Sequence, residues 1–251
     1  MRKIKDIIAY VGTFAPLDSA MDFDNVGLLV GSEDAQVKKA LVALDITDEV
    51  IDEAARISAE LIISHHPVIF DPLKSVEENS VVYKLINRGI AALCLHTNLD
   101  LSPIFGVNTC LAESVGVKDG AFVMDECLYI GELDNAVSNR EFAETVKRSL
   151  SCKGLRYTLG EKRVKRVAIC SGSGGDMAPL ACENGADVLL TGEIKHHDIL
   201  NANHLGIAVI DAGHFKSEDV VIAPLCEKLG DKFGDVEFIR SVSCTDKVEY
   251  L

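Results

Sequence analysis

Histidines directly follow an apolar segment at one place in the sequence, and imidazole is a common ligand of divalent metal ions. His65 and His66 come after Leu61–Ser64 and before Pro67. Successive strand side chains point to opposite faces, so both rings bind one ion only if the chain turns sharply there. Pro67 keeps the preceding residue extended or turning. The pattern therefore favours an arrangement in which each histidine serves a different ion or one of them supports a ligand.

Two further histidines are each followed by a carboxylate four residues later. These pairs are His96 with Asp100 and His214 with Glu218. On a helical turn this spacing brings the two side chains together. Neutral imidazole combined with carboxylate suits Zn, Mn, Fe or Ni, and one carboxylate is able to bridge two cations. The spacing predicts a metal site, whereas any one histidine alone is more typical of a hydrogen-bonded structural residue.

Two other segments have both a functional and a structural interpretation. His196 and His197 follow Thr191–Glu193, and they either line a substrate pocket or serve the fold. The loop Ser171–Asp176 follows a strand and opens a helix, so its amides either hold an anion or form a tight turn that needs positive φ, and the turn is favoured. His204, inside a helical stretch, is expected to be a surface residue.

The elements that must position these residues alternate between short β-type runs and amphipathic stretches, which is typical of a parallel-rich α/β fold. Asp48 and Asn139 are the expected helix caps. The β-type runs are Ala40–Ile46, Leu61–Ser64, Ala91–Leu95, Arg166–Cys170, Asp187–Thr191 and Ile207–Asp211. The helical stretches are Asp48–Ser58, Val76–Arg88, Phe105–Val115, Asn139–Leu150, Met177–Asn184 and Ser217–Leu229.

The order of these elements repeats in the two halves of the chain. This repeat predicts two similar α/β lobes, residues 1–120 and 121–251, intertwined as one unit, with Phe122–Leu133 as the link. Their parallel-rich mixed sheets are expected to bring strand ends to a central metal cleft, since open parallel sheets keep their sites there.

Composition excludes several classes of protein. The net charge of −14 argues against a nucleic-acid partner, because phosphate binding needs clustered Lys and Arg. No signal peptide is recognised at the N-terminus, and no apolar run approaches the roughly 20 residues of a membrane span. The eight cysteines form no C-x-x-C pair, so reduced thiols and a cytoplasmic location are expected.

Five motifs together carry a resemblance to a known family. They are Asp24–Gly31, Ser64–Pro67, His96–Asp100, Thr191–His197 and Asp211–His214, and the similarity runs over nearly the whole chain. On these residues the sequence resembles the NIF3-like family, also called the YbgI or DUF34 family, whose members are often named GTP cyclohydrolase type 2 homologues.

The resemblance implies a dinuclear centre of two divalent ions, with Zn, Mn, Fe or Ni left open, and a toroidal homohexamer. The implied metal ligands are His65, His66, Asp100, His214 and Glu218. It places His96 near the centre as a supporting residue or occasional ligand, and Asp24 and Asn25 close to the metal site, where a structural turn is the simpler interpretation. The chain is too short for the inserted domain that some members carry between the halves.

Two functions remain open at this point. The first is a metal-dependent hydrolase that acts on a nucleotide or phosphorylated small molecule, with His96 or His197 as general acid or base. The second is a non-catalytic metal-binding, metal-delivery or regulatory protein. The sequence itself specifies neither guanine nor triphosphate.

Overall fold

The computed structural model describes residues 2–124, 126–160 and 162–251. The chain divides into two compact units, each made of two segments. The first unit comprises Met1–Leu99 and Ile222–Thr245, and the second comprises Asp100–Val221 and Asp246–Leu251. Residues 222–245, which the sequence assigns to the C-terminal lobe, thus group with the first unit.

The first unit is built around a five-stranded sheet in the order β13-β4-β5-β6-β2. Its elements are β1 (Arg2–Lys3), α1 (Ile4–Val11), β2 (Gly27–Val30), β3 (Gln36–Val37), β4 (Lys39–Ala43), α2 (Asp48–Arg56), β5 (Leu61–Ser64), α3 (Val81–Arg88), β6 (Ala91–Cys94), the start of α4 (Thr97–Asp100), α10 (Ile222–Lys232) and β13 (Glu237–Arg240).

Strands β13, β4, β5 and β6 are parallel, and only the edge strand β2 runs antiparallel. Every residue of β5 and β6 is buried, as expected for parallel strands covered on both faces. Apolar residues of α2 and α3 pack on one face of this sheet, where Val50, Ile51 and Leu85 meet Leu41 and Ile62.

The second unit is built around a six-stranded sheet in the order β7-β8-β10-β11-β12-β9. Its elements are α5 (Val107–Ser114), β7 (Lys118–Phe122), β8 (Tyr129–Val137), α6 (Asn139–Ser149), β9 (Arg156–Tyr157), β10 (Val164–Cys170), α7 (Ala178–Glu183), β11 (Val188–Thr191), α8 (His196–Leu205), β12 (Ala208–Asp211) and α9 (His214–Glu218). Short 3₁₀ turns cover Leu17–Ser19 in the first unit and Gly175–Met177 and Asp219–Val221 in the second.

Three parallel strands, β10, β11 and β12, form the centre of this second sheet, and antiparallel strands flank them. Alternate residues of the central strands enter two separate apolar layers. Ile169 and Leu190 pack with Phe142 of α6, whereas Ala168 and Leu189 pack with Ala181 of α7. Helices therefore cover both faces of the sheet.

The repeat predicted from the sequence is present as two parallel trios, β4-β5-β6 and β10-β11-β12. The expectation of an α/β fold with parallel-rich mixed sheets is confirmed. The segment Phe122–Leu133 differs from the expected link, because Tyr129–Val137 pairs with both β7 and β10 within the second sheet. Asp125 of that segment lies outside the described residues.

The expected helix caps are displaced by one residue. Thr47 rather than Asp48 caps α2, since its Oγ1 accepts from the amide of Val50. Ser138 rather than Asn139 caps α6, where it forms a capping box with Glu141. The hydroxyl residue just outside the first turn reaches the orphan amides, so a polar residue inside that turn is not needed as cap.

Among the described residues, no helix is long and apolar enough to cross a membrane. All eight cysteines lie within the described residues, and none of them forms a disulfide bond.

Candidate metal centre

Polar residues follow the parallel strands of the first sheet at the edge where the carboxyl ends of these strands lie. His65 and His66 follow β5 directly, and His96 follows the neighbouring β6 by two residues. The amides of His65 and His66 donate to the carbonyls of Ala43, the last residue of β4, and of Leu44, the residue after it, at 3.2 and 2.9 Å. These bonds extend the sheet register past Ser64 and hold both histidines where the carboxyl ends of the strands meet.

His65, His66 and His96 form a group whose potential ligand atoms all lie within 4.8 Å of one another. The ring centroid of His65 is 5.1 Å from that of His66 and 5.1 Å from that of His96. His65 is only 1% exposed, while the other two rings are partly exposed. The cluster therefore has a buried base and two rings that border solvent.

A hydrogen bond fixes the Nδ1 atom of each ring. His65 Nδ1 lies 2.8 Å from the carbonyl oxygen of Leu95. His66 Nδ1 lies 2.7 Å from Asp45 Oδ1, and His96 Nδ1 lies 2.9 Å from Asp24 Oδ1. Carbonyl and carboxylate oxygens only accept, so each Nδ1 carries a proton, and in the neutral ring Nε2 is the nitrogen with a lone pair. This is the orientation that supporting residues give to metal-binding histidines.

Asp24 lies beneath His96 with its side chain 0% exposed. Its Oδ2 accepts from the Thr97 amide at 3.0 Å and from Thr97 Oγ1 at 2.5 Å, and its Oδ1 also accepts from the Asn25 amide. Burial alone would raise the pKa of Asp24, but the hydrogen bonds from Thr97 and His96 outweigh it and lower the pKa. Asp24 is thus an ionised acceptor at neutral pH. The neighbouring Asn25 donates a side-chain hydrogen bond from Nδ2 to the carbonyl of Ile69.

The imidazole of His96 is kept neutral by its surroundings. Burial and the nearby His65 lower the pKa of His96, against the opposing effect of Asp24. A neutral imidazole is the form that binds metal ions, so this ring needs no deprotonation at neutral pH.

The second unit contributes a histidine between two carboxylates. His214 begins α9, and its Nε2 lies 3.0 Å from Glu218 Oε2 one helical turn later. Its Nδ1 lies 3.1 Å from Oε1 of Glu193, which follows β11 by two residues. The predicted pairing of His214 with Glu218 on a helical turn is confirmed, and Glu218 is only 4% exposed.

The loop after β10 makes room for Glu218. Gly172 has φ of +59°, and a Cβ there would lie 2.1 Å from Glu218 Oε1. The amides of Ser171, Gly172 and Gly174 donate to Asn108 Oδ1, Ser217 Oγ and Thr191 Oγ1 at 2.8 to 3.1 Å. Because three of its amides are occupied in this way, the loop is the tight turn that the sequence favoured, and it accommodates a carboxylate of the fold.

Asp100 ends α4 and is 7% exposed. Its carbonyl oxygen accepts from the side-chain amide of Asn108 at 3.2 Å, which fixes the backbone at this position. Asp100 remains a predicted ligand.

His196 and His197 lie in the first turn of α8, and both are exposed. His197 Nε2 is 3.4 Å from Asp198 Oδ1. His204, near the end of the same helix, is exposed as expected. The acid–base role predicted for His96 and His197 stays a prediction.

A cavity of about 310 Å³ in the second unit includes Glu193 in its lining. Arg156 and Lys195 line it with positive charge, and Asp176 and Asp198 with negative charge. Arg156 is itself paired with Asp211. The carboxylate that orients His214 therefore also faces a space large enough for a small molecule.

Two residues that orient the candidate ligands were not predicted from the sequence. Asp45 orients His66 and Glu193 orients His214, yet neither stands out by spacing. The signal that would have found them is the order of the strands in each sheet. Each carboxylate comes two residues after a parallel strand, β4 or β11, that is the neighbour of the strand preceding its histidine.

Imidazole and carboxylate groups arranged in this way are able to hold a metal ion. The donor set fits a first-row transition metal, because the candidate ligands are imidazoles in the first unit and a histidine with a carboxylate in the second.

Comparison with known proteins decides the family. The sequence matches the family described as Duf34/NIF3 (NGG1p interacting factor 3) over residues 2–247. This chain belongs to the DUF34/NIF3 family. The family expected from the five motifs is thereby confirmed.

Several relatives and solved structures match nearly all of this DUF34/NIF3 chain. A Clostridium perfringens protein named GTP cyclohydrolase 1 type 2 homolog is 36% identical over 263 residues, which cover 99% of this chain and 100% of the relative. The crystal structure of Staphylococcus aureus protein SA1388 matches with a TM-score of 0.92 at 30% identity, over 100% of this chain and 99% of that one. Reduced HcgD from Methanocaldococcus jannaschii matches with a TM-score of 0.82 at 31% identity, over 95% and 97%.

Proposed function

We propose that this protein is a metal-dependent hydrolase that acts on a nucleotide or another phosphorylated small molecule. In this proposal two divalent ions are held by three histidines and two carboxylates, which are His65, His66, Asp100, His214 and Glu218.

One observation carries the proposal. Four histidines that follow sheet strands have Nδ1 within 3.1 Å of an oxygen acceptor. In His65, His66 and His96 this contact orients Nε2 for coordination, whereas Nε2 of His214 lies 3.0 Å from the carboxylate of Glu218. The acceptors are Leu95, Asp45, Asp24 and Glu193. A single contact of this kind is common in a histidine that only stabilises a fold. Four histidines with the same contact, all at strand ends, are typical of a metal centre.

Divalent ions bound to these residues would supply a Lewis acid and a means of activating water near neutral pH. The residues themselves perform the remaining tasks. Asp24 and Asp45 hold the Nδ1 atoms of His96 and His66, Glu193 lies beside Nδ1 of His214, and Gly172 leaves the space that the Glu218 carboxylate fills.

The substrate class follows from the cavity beside Glu193 and from the relatives. Its lining carries both signs of charge, which suits a ligand that has a phosphate together with hydrogen-bond donors. The relatives' name, GTP cyclohydrolase 1 type 2 homolog, points to the same class. His197 is our candidate general acid or base, because it is exposed in the first turn of α8, the helix that carries Asp198 of the cavity lining.

The assembly and location follow from the family resemblance. We propose a homohexamer in the cytoplasm, and light scattering coupled to gel filtration tests the hexamer directly. A mass of six chains of 27.1 kDa is expected, and a monomer at micromolar concentration would contradict the proposal.

The test of function combines metal loading with substrate screening. Protein loaded separately with Mn, Zn, Fe or Ni is incubated with a panel of nucleotides and phosphoesters, and product formation is followed by chromatography. We expect turnover with at least one metal, its loss in Asp100→Ala and Glu218→Ala, and its retention in the surface control His204→Ala. If every preparation is inert while the metal stays bound, the hydrolase proposal fails and a non-catalytic metal-binding, metal-delivery or regulatory role replaces it.

A further inference from the structure

We propose that the side chains of Phe23 and Phe70 form an aromatic platform beside His96, and that this platform binds the planar heterocyclic ring of the substrate by stacking. All three residues lie in the first unit. This inference rests on the proposed function and deepens it, because it names the part of a nucleotide that the protein holds at this place, which is the base.

The two phenylalanines are exposed at positions where the neighbouring chain is anchored. Phe23 is 64% exposed and Phe70 is 46% exposed. The side chain of Asp24, next to Phe23, is buried and hydrogen-bonded. Ile69, next to Phe70, packs against the core of the first sheet, and its carbonyl accepts from Asn25 Nδ2 at 2.6 Å. Each exposed ring is therefore attached to a fixed point of the backbone.

The rings of the platform contact each other and the histidine cluster. The ring centroids of Phe23 and Phe70 are 6.3 Å apart, with an interplanar angle of 44°. The Phe70 ring is also 6.4 Å from that of His96, at an interplanar angle of 80°. Single exposed apolar residues are normal on a protein surface, whereas rings in mutual contact form a continuous apolar patch that marks a binding site. A flat ring on this patch would lie beside the candidate metal ligands.

A heterocyclic base suits the platform better than a second copy of this chain does. Every nucleobase has a π-face that stacks on an aromatic side chain. Asp22 and Asp71 are exposed and directly adjoin the two phenylalanines in the chain. A two-fold contact of this surface with itself would bring these like charges together. The same carboxylates are acceptors for the N–H groups of a base.

The experiment uses the absence of tryptophan from the chain. Phe70→Trp places a single tryptophan in the platform and keeps a large aromatic face there. The full chain with saturating Zn²⁺ is titrated with adenosine 5′-monophosphate, guanosine 5′-monophosphate and ribose 5-phosphate, and tryptophan fluorescence is recorded. We expect saturable quenching by both nucleotides and none by ribose 5-phosphate, which carries the phosphate without a base.

Ile86→Trp is the control for collisional quenching. Ile86 is exposed on α3, close to the end of the helix that leads into the amino end of β6, whereas His96 follows the carboxyl end of that strand. A tryptophan at position 86 therefore lies towards the opposite edge of the sheet from the platform. We expect it to show no saturable quenching with any of the three compounds.

The substitution Phe23→Leu, added to Phe70→Trp, tests the second ring, because leucine keeps the apolar bulk but has no aromatic face. Loss of one base–aromatic stack should raise the dissociation constant of adenosine 5′-monophosphate by about 5–150-fold. Ile86→Ala in the same background is the matched control and should leave this constant unchanged. A change of less than about 3-fold in Phe23→Leu, or equal quenching by ribose 5-phosphate, would refute the platform.

Turnover and stacking are measured separately, so the two proposals fail separately. Turnover by the unsubstituted protein without saturable quenching in Phe70→Trp would refute the platform and leave the hydrolase. Saturable quenching without turnover with any metal would support the platform and refute the hydrolase. If Phe23→Ser forms a smaller assembly in light scattering but binds adenosine 5′-monophosphate with unchanged affinity in equilibrium dialysis, a second copy of the chain covers the rings and the platform is overturned.

Discussion

The substitution Asp24→Asn tests how the buried carboxylate orients His96. The four hydrogen bonds to Asp24 come from the His96 ring, the Asn25 amide and both donors of Thr97, and the side chain is 0% exposed. An asparagine keeps the shape but replaces one oxygen by an NH₂ group. At least one buried N–H then loses its acceptor, whichever way the amide is turned.

The expected loss has two parts. One unsatisfied buried donor costs about 1–3 kcal/mol, and hydrogen bonds to a charged group contribute about 1.5–3 kcal/mol. We therefore expect the free energy of unfolding to fall by roughly 2–4 kcal/mol. Asparagine is also able to donate to Nδ1, which moves the imidazole proton to Nε2, so metal affinity should fall by about 10–100-fold.

Urea unfolding followed by circular dichroism measures the first effect, and calorimetric titration with Zn²⁺ measures the second. Asp231→Asn, an exposed position on α10, removes a carboxylate without touching the cluster and is the matched control. If Asp24→Asn binds Zn²⁺ within about 3-fold of the unsubstituted protein and unfolds at the same urea concentration, the orienting role of Asp24 is wrong.

Three other predictions follow. Burial would raise the pKa of Glu53, but hydrogen bonds from the chain after β13 outweigh it and lower the pKa. Glu53→Gln should therefore lower the free energy of unfolding by about 1–3 kcal/mol at pH 7, as measured by urea unfolding. Because the pKa of Glu53 is lower in the folded state, its carboxylate stabilises the fold above the usual pKa of 4.5. The difference in unfolding free energy between the unsubstituted protein and Glu53→Gln should therefore disappear as the pH falls through the folded pKa. A difference that stays constant with pH would contradict this prediction. Gly172→Ala should weaken metal binding, because its Cβ would displace the carboxylate of Glu218. Gly185→Ala is the control, since Gly185 also has positive φ but lies in open space, and it should only lower the free energy of unfolding by about 1–2 kcal/mol. Equal metal binding in both variants would refute the clash. Glu193→Gln should weaken Zn²⁺ binding by about 10–100-fold in the same titration, and an unchanged affinity would show that this carboxylate does not orient the histidine of α9.

Much of the fold was predictable because buried parallel strands appear as short apolar runs. Strand β5 has the predicted bounds Leu61–Ser64, and the central strands of both sheets are where the sequence placed them. Helix α3 starts at Val81 rather than Val76, because Ser80 caps it by accepting from the Tyr83 amide. Edge strands β2 and β9 were missed, because β9 is only two exposed residues and β2 follows directly on the stretch around Asp24 and Asn25 that was interpreted as a turn.

The candidate site was predictable in its histidines and less so in what orients them. Residue type and position at strand ends identify His65, His66 and His214 without knowledge of the fold. Asp45 and Glu193 depend on sheet order, because a carboxylate after one strand reaches a histidine after the next only if those strands are neighbours. A single sequence shows the order of elements along the chain but not their order across a sheet.

The most direct test of the metal centre is anomalous diffraction from crystals of the full chain grown with Zn²⁺. We predict that the strongest peaks at the zinc absorption edge lie about 2.0–2.2 Å from Nε2 of His65 and His66 and from the Glu218 carboxylate. Zinc found only on the exposed imidazoles of His197 and His204, with no peak at the strand-end histidines, would contradict the central claim.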